Sequence, residues 1–261
     1  MERSAFLQFA ALERDHWWFR GRRAVYLGLL DAHLEGRAAG ARLARALDLG
    51  CGPGGFLEGL AERSAFVVGT DPDLASLARS RATDTAPRVA SLAGALPFRD
   101  GAFELVCLFD VLEHLDDEQS ALREARRVLA PGGTLALSVP AYPWLFSNND
   151  RVAMHRRRYT RRSLRAVVEA AGFEVVRNTH ANVLLAPWIV PIVLATRALE
   201  SISGRGGSTA RTNLSWPLPR PLHGLLARVF AAELALTRRV DAPFGHSIAL
   251  LARKPRADAA R

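Results

Sequence analysis

LDLGCGPGG, residues 47–55, is the stretch that decides the fold. It ends a short apolar strand and continues at once into glycines, which is typical of a tight turn between a strand and a helix. Gly50 and Gly52 permit backbone conformations and a close ligand approach that a Cβ atom would block, and the first N–H groups of the next helix can bind a ligand. Gly50, Gly52 and Gly55 also fit the dinucleotide pattern G-x-G-x-x-G. The turn favours a nucleotide site, with a purely structural turn as the alternative.

Predicted strands and helices alternate along most of the chain. Apolar runs predict strands at 41–49, 66–71, near 89, 103–110, 134–140, 173–180 and 246–254. Helical spacing predicts helices at 56–63, 74–82, 118–129, 160–171 and 222–239, whereas 131–133 is expected to be a turn and 141–160 a long irregular loop. This alternation predicts an α/β fold, a doubly wound sheet with helices on both faces, and ligand sites beyond the carboxyl ends of the strands.

Asp71 closes the strand that follows the glycine turn. A carboxylate at this place can accept hydrogen bonds from the hydroxyls of a ribose. Asp71 can equally cap the helix that follows, with Pro72 at the first helical position. The carboxylate does not distinguish one ribose-containing cofactor from another.

A series of motifs indicates which ribose-containing cofactor the chain would bind. LDLGCGPGG is followed by GTDPD (69–73), ALPFRDGAFELV (95–106), DVLEHL (110–115) and ARRVLAPGGTLALSVP (125–140). In this order the motifs resemble those of class I S-adenosylmethionine-dependent methyltransferases, with a similar tail at 157–176. The resemblance implies a Rossmann-like sheet of about seven strands whose last strand is antiparallel, with S-adenosyl-L-methionine as the cofactor and methyl transfer as the reaction.

The resemblance also implies which residues hold the cofactor. The methionine end would meet Asp48 and the turn that contains Gly50, Cys51, Gly52 and Gly54, the ribose would meet Asp71 and Pro72, and the adenine would meet the segment around Leu96. Asp110, after the fourth strand, is a further candidate. The family often carries an acidic residue five positions before the proline of LPF, where this chain has Leu92. We therefore expect the adenine to be held by backbone and apolar contacts.

Asp110, Glu113 and His114 lie where the methyl acceptor should arrive. In a helical turn their spacings would put the three side chains on one face. His114 can act as a general base oriented by Glu113 or Asp110, the group can hold a divalent metal ion, or it can serve only local structure. The pattern acid-x-x-Glu-His with a distant histidine resembles metal-dependent small-RNA 2′-O-methyltransferases and ubiquinone-pathway O-methyltransferases. That resemblance implies the metal ligands Asp110, Glu113, His114 and His155, which we expect to share one cavity.

The chain is expected to divide into an N-terminal helical or lid segment (1–40), a cofactor-binding core (41–180), a helical insertion (181–245), the final core strand (246–254) and a flexible tail (255–261). The N-terminal motif HWWFRGRR (16–23) suggests either a cofactor lid or packed aromatic anchors. Six arginines between 156 and 165 suggest either an anion clamp or a solvated helix face.

The insertion begins with VLLAPWIVPIVLA (183–195), which has almost no polar face. Its length of about thirteen residues is too short for a bilayer, which takes about 20. Pro187 and Pro191 make a straight helix awkward. We expect the segment either to roof the acceptor pocket or to meet a membrane surface, with Trp188 at the interface and Arg197, Arg205 and Arg211 facing head groups.

Composition bears on the partners and the cellular compartment expected for the chain. The net charge is +9, but of 35 basic side chains only Lys254 is a lysine, so the excess can reflect a bias toward arginine, and no nucleic-acid partner is inferred. Cys51 and Cys107 fit a reduced cytoplasmic chain rather than a disulfide scaffold, and residues 1–23 lack the apolar core of a signal peptide.

The expected activity is O-methylation of a small or lipid-linked acceptor by a cytoplasmic enzyme with peripheral membrane contact. The alternatives are an NAD-dependent oxidoreductase and a non-catalytic nucleotide-binding protein.

Overall fold

A computed structural model describes residues 12–13, 15–35, 42–79, 86–203 and 218–256. The expectations for residues 1–11, for the end of the helix at 74–82, for Arg205 and Arg211, and for most of the tail lie outside these ranges. The strands are β1 (Leu43–Leu49), β2 (Ser64–Asp71), β3 (Arg88–Ala90), β4 (Phe103–Phe109), β5 (Leu129–Pro140), β6 (Glu174–Ala181) and β7 (Ser247–Arg253). The helices are α1 (Trp17–Leu34), α2 (Leu57–Arg63), α3 (Leu74–Arg79), α4 (Glu118–Val128), α5 (Asn148–Ala153), α6 (Arg161–Ala170), α7 (Ala186–Ser203), α8 (Arg220–Ala232) and α9 (Leu234–Thr237).

A seven-stranded sheet in the order β3-β2-β1-β4-β5-β7-β6 organises the fold. Strands β1 to β5 pair in parallel, and β7 runs antiparallel to both β5 and β6. The expected Rossmann-like sheet with an antiparallel last strand is confirmed. Because the strand order reverses between β1 and β4, the carboxyl ends of these two strands form the switch point at which such sheets bind ligands.

Helices cover both faces of the sheet, as the apolar central strands require. On one face, Leu122 of α4 and Leu164 of α6 are fully buried against the sheet. On the other face, Leu30 of α1 and Leu57 of α2 are fully buried. The helices therefore hold the strand ends in fixed positions on both sides of the switch point.

Several local expectations are wrong. Residues 131–133 are not a turn but part of a bulge within β5, where the register against β4 shifts between Phe103 and Leu105. The segment 141–160 is not irregular throughout, because it contains a 3₁₀ turn, Pro143–Leu145, and α5. A capping box starts α5, and so short a helix carries no detectable apolar period. The helix expected at 222–239 is broken into α8 and α9 at Glu233.

The segment between β6 and β7 carries α7, α8 and α9. Helix α7 has 18 residues and continues through Pro191, so the two prolines do not prevent a helix here. Helix α8 packs against α1 at Gly21, where a Cβ atom would collide with the ring of Phe230. Across the described ranges, no helix combines the length and the hydropathy needed to cross a membrane.

Candidate active site

The glycine turn after β1 is shaped to receive a ligand. Gly50, Gly52 and Gly54 have φ angles of 77°, 51° and 96°, a region that a Cβ atom disfavours. A Cβ atom on Gly52 would meet nothing within 4 Å, so the space above this residue is open. Asp71 closes the turn, because its Oδ2 accepts a hydrogen bond from the Gly52 N–H at 3.0 Å and its Oδ1 accepts one from the Asp73 N–H at 2.9 Å.

Acidic side chains surround this turn. Asp48 is buried, and within the described ranges its Oδ2 has no hydrogen-bond partner. Burial raises the pKa of Asp48 to about 7, and the charges of Glu13 and Asp71 act in the same direction while Arg22 opposes them. Burial also raises the pKa of Glu13, whose carboxylate is hydrogen-bonded to the backbone of Gly55. The turn therefore has a surplus of carboxylates and one unsatisfied acceptor, which suits a cationic group.

Arg22 of α1 reaches across the cavity to Asp110 at the end of β4. Its Nη1 donates to Asp110 Oδ2, and the hydroxyl of Ser138 donates to Oδ1 at 2.8 Å. The guanidinium carbon lies 4.7 Å from the ring centroid of Phe19 and 5.3 Å from that of Phe56, and the buried Nε is without a partner in the described part of the chain. Helix α1 thereby forms one wall of the site.

Glu113, His114 and His155 come together on the other side of the cavity. One ligand-capable atom of each lies within 4.8 Å of the others. The Glu113 carboxyl is fully buried, and neither oxygen has a hydrogen-bond partner among the described residues. Burial, with Asp110 nearby, raises the pKa of Glu113 well above its usual range. Burial and the neighbouring His155 lower the pKa of His114 to about 4, so this imidazole is neutral at physiological pH.

Asp110 does not join this group, and the expected common face for Asp110, Glu113 and His114 is wrong. Residues Leu112–His114 form a 3₁₀ turn rather than an α-helical one. Asp110 itself has a φ of 57°, and its carboxylate points to Arg22 and Ser138. Asp110 lines the cavity on the side of the glycine turn, so the four expected metal ligands are reduced to three.

Asp150 orients His155. Asp150 Oδ1 lies 2.8 Å from His155 Nδ1 and accepts from Arg158 Nε at 2.7 Å, and Oδ2 accepts from the N–H and hydroxyl of Ser147. Burial alone would raise the pKa of Asp150, but the hydrogen bonds and charges of His155 and Arg158 outweigh burial and hold it well below its usual range. The ionised carboxylate favours a proton on Nδ1, and Nε2 faces Glu113 Oε1, 4.0 Å away.

A cavity of about 840 Å³ joins the glycine turn to the Glu113–His114–His155 group. Among the residues expected to hold the cofactor, it is lined by Asp48, Gly50, Cys51, Gly52 and Asp110, and not by Gly54, Asp71, Pro72 or Leu96. The Leu96 N–H donates to Glu124 Oε2 at 2.8 Å, so this backbone group is already engaged. The two sides of the expected reaction therefore share one space.

Apolar side chains cover the rest of this cavity. They come from α1, from the start of the insertion and from α8, and include Trp17, Trp18, Leu185, Trp188, Ile189, Ile192, Val193, Leu226 and Val229. The lining is therefore polar at the strand ends and apolar away from them. A pocket with this division suits a ligand that carries a polar reactive group on an apolar body.

Several site residues carry no local sequence signal. His246, just before β7, lines the cavity, and its buried Nδ1 has no partner within the described chain. Burial and the charge of Arg158 lower the pKa of His246 to about 3. Glu13 and Asp150 also belong to the site, although no motif marked them, and Arg22 lies in the N-terminal motif HWWFRGRR, which did not indicate its contact with Asp110. A pairing of Glu113 with His155 follows from a family pattern, whereas these residues reach the cavity only through the fold.

Most side chains of the arginine cluster are engaged in ion pairs. Five of its members form ion pairs: Arg156 with Asp116, Arg157 with Glu118, Arg158 with Asp150, Arg161 with Asp241 and Arg165 with Glu169. Guanidinium groups that are already paired with carboxylates are not available for a phosphate. No anionic acceptor is inferred from this cluster.

Comparison with known proteins identifies the domain. Residues 47–137 match the family profile of a methyltransferase domain. A protein of Mycolicibacterium smegmatis named "Probable S-adenosylmethionine-dependent methyltransferase" is 35% identical over 169 residues, which are 63% of this chain and 62% of that protein. A ubiquinone biosynthesis O-methyltransferase of Xanthomonas campestris pv. campestris is 34% identical over 139 residues, which are 50% of this chain and 58% of that protein.

Solved structures that superimpose on this chain include methyltransferases. The crystal structure of an S-adenosylmethionine dependent methyltransferase from Mesorhizobium loti superimposes with a TM-score of 0.54 at 17% identity, and the match covers 88% of this chain and 97% of that one. This likeness shows the fold alone. The chain spans about three fifths of the length of the two curated relatives. Residues 47–137 are a methyltransferase domain.

Proposed function

We propose that this chain is a class I S-adenosylmethionine-dependent methyltransferase and that it methylates an oxygen of a small or lipid-linked acceptor with an apolar body. The observation that carries the cofactor assignment is the acidic surrounding of the glycine turn, where Asp48 Oδ2 has no hydrogen-bond partner among the described residues and Glu13 and Asp71 lie nearby. The ammonium and sulfonium groups of S-adenosyl-L-methionine are cations that these carboxylates attract. The diphosphate of NAD is an anion that they repel.

When bound, the cofactor supplies a methyl group on a sulfonium; the acceptor oxygen bonds to this methyl group while the electrons of the broken C–S bond stay on sulfur. Asp48 is assigned to the ammonium group. Arg22 is assigned to the carboxylate of the methionine end, because its side chain lines the same cavity and its Nε has no hydrogen-bond partner among the described residues. Asp71 remains our candidate for the ribose, since its carboxylate lies beside the Gly52 N–H. Pro72 stays a candidate for the ribose and Leu96 for the adenine.

Glu113 is the proposed general base. A carboxylate whose pKa is raised by burial holds a proton more strongly than an ordinary one, so it can take the proton of an acceptor hydroxyl as the new C–O bond forms. His114 is a weak base with its pKa of about 4. We therefore assign His114 to hydrogen bonding of the acceptor rather than to proton abstraction.

Glu113, His114 and His155 also have the donor set of a divalent metal site. A carboxylate and two imidazoles, one of them oriented by a second carboxylate, are ligands of the type that such ions take. The Glu113 oxygens, which have no hydrogen-bond partner in the described part of the chain, fit a cation. A metal ion held there would lower the pKa of an acceptor hydroxyl. Loss of activity on chelation, restored by Mg²⁺, Mn²⁺ or Zn²⁺, supports this role. Activity that survives chelation leaves Glu113 as the base without a metal.

The segments flanking the core support the acceptor class. We assign residues 1–40 to a wall over the cofactor and residues 181–245 to an acceptor-binding insertion, because side chains from both line the cavity. Their apolar lining favours an acceptor that would be found in or at a membrane, so peripheral contact of a cytoplasmic enzyme with lipid forms part of the proposal.

Calorimetric titration and a labelled cofactor test the proposal. We expect S-adenosylhomocysteine to bind the intact chain, NAD not to bind, and label from S-adenosyl-L-methionine to appear in an apolar extract fraction. Gly52→Val is the matched negative control. Binding of NAD in place of S-adenosylhomocysteine would refute the cofactor assignment. Cofactor binding without label in any apolar extract fraction would refute the proposed acceptor class.

A further inference from the structure

We propose that one face of α7 is a membrane-docking surface and that the acceptor cavity opens onto it, an inference that rests on the proposed apolar acceptor. The α7 face consists of Trp188, Ile192, Leu199 and Ile202, which follow one another at helical spacings. These side chains are exposed by 74%, 43%, 65% and 84%. Soluble proteins rarely leave so continuous an apolar surface uncovered.

The mouth of the cavity lies on this face. Trp188 and Ile192 are exposed and also line the cavity, so they mark the place where its lining reaches the surface. The neighbouring face of the same helix points inward, because Ile189 and Val193 line the cavity and Val193 is buried. Helix α7 is thus a thin apolar wall between the acceptor space and whatever covers the α7 face.

The exposed charges of this segment are mostly basic. Within the described parts of 183–232, Arg197, Arg220 and Arg228 are exposed, and Glu200 is the one carboxylate. Arg197 Nη1 donates to the carbonyl of Trp144, which is itself half exposed. Tryptophan favours the boundary between lipid and water, and arginine binds anionic head groups.

A bilayer on the α7 face also accounts for the cavity mouth at Trp188 and Ile192. A second copy of the chain packed on the α7 face would cover Trp188 and Ile192 and block entry to the cavity. A bilayer would cover the same side chains and deliver an apolar acceptor through them. Because no described helix can cross a membrane, the contact would be peripheral.

Vesicle flotation of the full chain tests this inference. We expect flotation with phosphatidylglycerol-containing vesicles at low salt and much less with phosphatidylcholine alone. The double variant Leu199→Gln/Ile202→Gln changes side chains of the α7 face that do not line the cavity. Its partition should fall about tenfold or more, which corresponds to about 1.4 kcal/mol. Leu74→Gln, an equally exposed leucine on α3, is the matched control and should float like the parent.

Binding of S-adenosylhomocysteine, measured on the same samples, separates the two proposals. If the intact chain stays in the aqueous fraction, the docking surface and the proposed lipid contact are both refuted, and if the double variant floats as well as the parent, the docking surface is refuted. In either case cofactor binding leaves the proposed methyl transfer standing. A dimer that the double variant abolishes would assign the α7 face to a second copy and also refute docking. Failure of the intact chain to bind S-adenosylhomocysteine refutes the proposed function, whatever the flotation result. Should the double variant unfold, Ile202→Gln alone provides the same test.

Discussion

Asp48→Asn should stabilise the cofactor-free protein while it weakens cofactor binding. Asp48 is 2% exposed, its Oδ2 has no partner within the described ranges, and burial raises its pKa to about 7 from an ordinary 3.8. The folded protein therefore holds this proton more tightly than the unfolded chain does. An isosteric amide removes the cost of burying the charge and, with it, the attraction for a cation.

The size of the effect follows from the pKa shift. Between pH 3.8 and pH 7 the parent loses stability as the pH rises, by about 1.4 kcal/mol per pH unit, because the unfolded chain releases this proton first. The loss reaches on the order of 4 kcal/mol above pH 7. Asparagine does not titrate, so the variant and the parent should be about equally stable near pH 4, and the variant should gain a few kcal/mol over the parent by pH 8.

Urea unfolding of both proteins without cofactor, across this pH range, measures the difference. Asp100→Asn, which changes an exposed carboxylate and leaves Asp48 in place, is the control and should keep the pH dependence of the parent. Affinity for S-adenosylhomocysteine should fall about 10- to 100-fold in Asp48→Asn, and in the parent it should weaken below pH 7 as protons compete with the ammonium group. A variant that is less stable than the parent at about pH 8 would show that Asp48 is satisfied in the folded protein, and the argument for a cationic ligand would fail.

Further variants test other parts of the site. Gly52→Val should abolish S-adenosylhomocysteine binding, because the side chain fills open space, at a stability cost of about 1–2 kcal/mol for the positive φ; unchanged affinity in calorimetry would disprove the site. Glu233 accepts the N–H groups of Asn182 and Val183, both at 2.6 Å, so Glu233→Gln should lower the free energy of unfolding by about 1–3 kcal/mol and raise KM for the acceptor. A change in S-adenosylhomocysteine affinity instead would contradict the proposal that the segment around Glu233 binds the acceptor. His246→Ala should raise the acceptor KM about tenfold by loss of one hydrogen bond without altering cofactor affinity, and unchanged kinetics would exclude His246 from acceptor binding.

The fold could be predicted where each element carries its own period or turn signal. The apolar run of β4 and the glycine turn after β1 are local features, and they are enough to locate the switch point. The bulge in β5 could not be seen, because it depends on the register against Phe103 and Leu105 on a neighbouring strand. Helix α5 was missed because its start depends on a hydrogen-bonded box between Ser147 and Asp150 rather than on apolar spacing.

In the candidate site, too, some residues could be predicted from the sequence and others could not. The convergence of Glu113, His114 and His155 was predictable because a family pattern links these positions across the chain. The direction of the Asp110 side chain was not, because it depends on a backbone φ of 57° and on Arg22, which lies 88 residues away in sequence. His246 illustrates the same limit, since a single histidine beside a strand has no spacing that indicates a site.

The order of the strands determines where the segment between β6 and β7 must lie. Strand β7 is antiparallel to β5 and to β6, with Ser247 opposite both Pro140 and Ala181. Strand β6 therefore ends, and β7 begins, at the same edge of the sheet as the carboxyl ends of β1 and β4. Any segment added between β6 and β7 emerges beside the switch point, where ligands bind. Length or apolar surface added there changes the acceptor side of the cavity and leaves the glycine turn untouched, so the same cofactor-binding core can be combined with acceptors of different size and polarity.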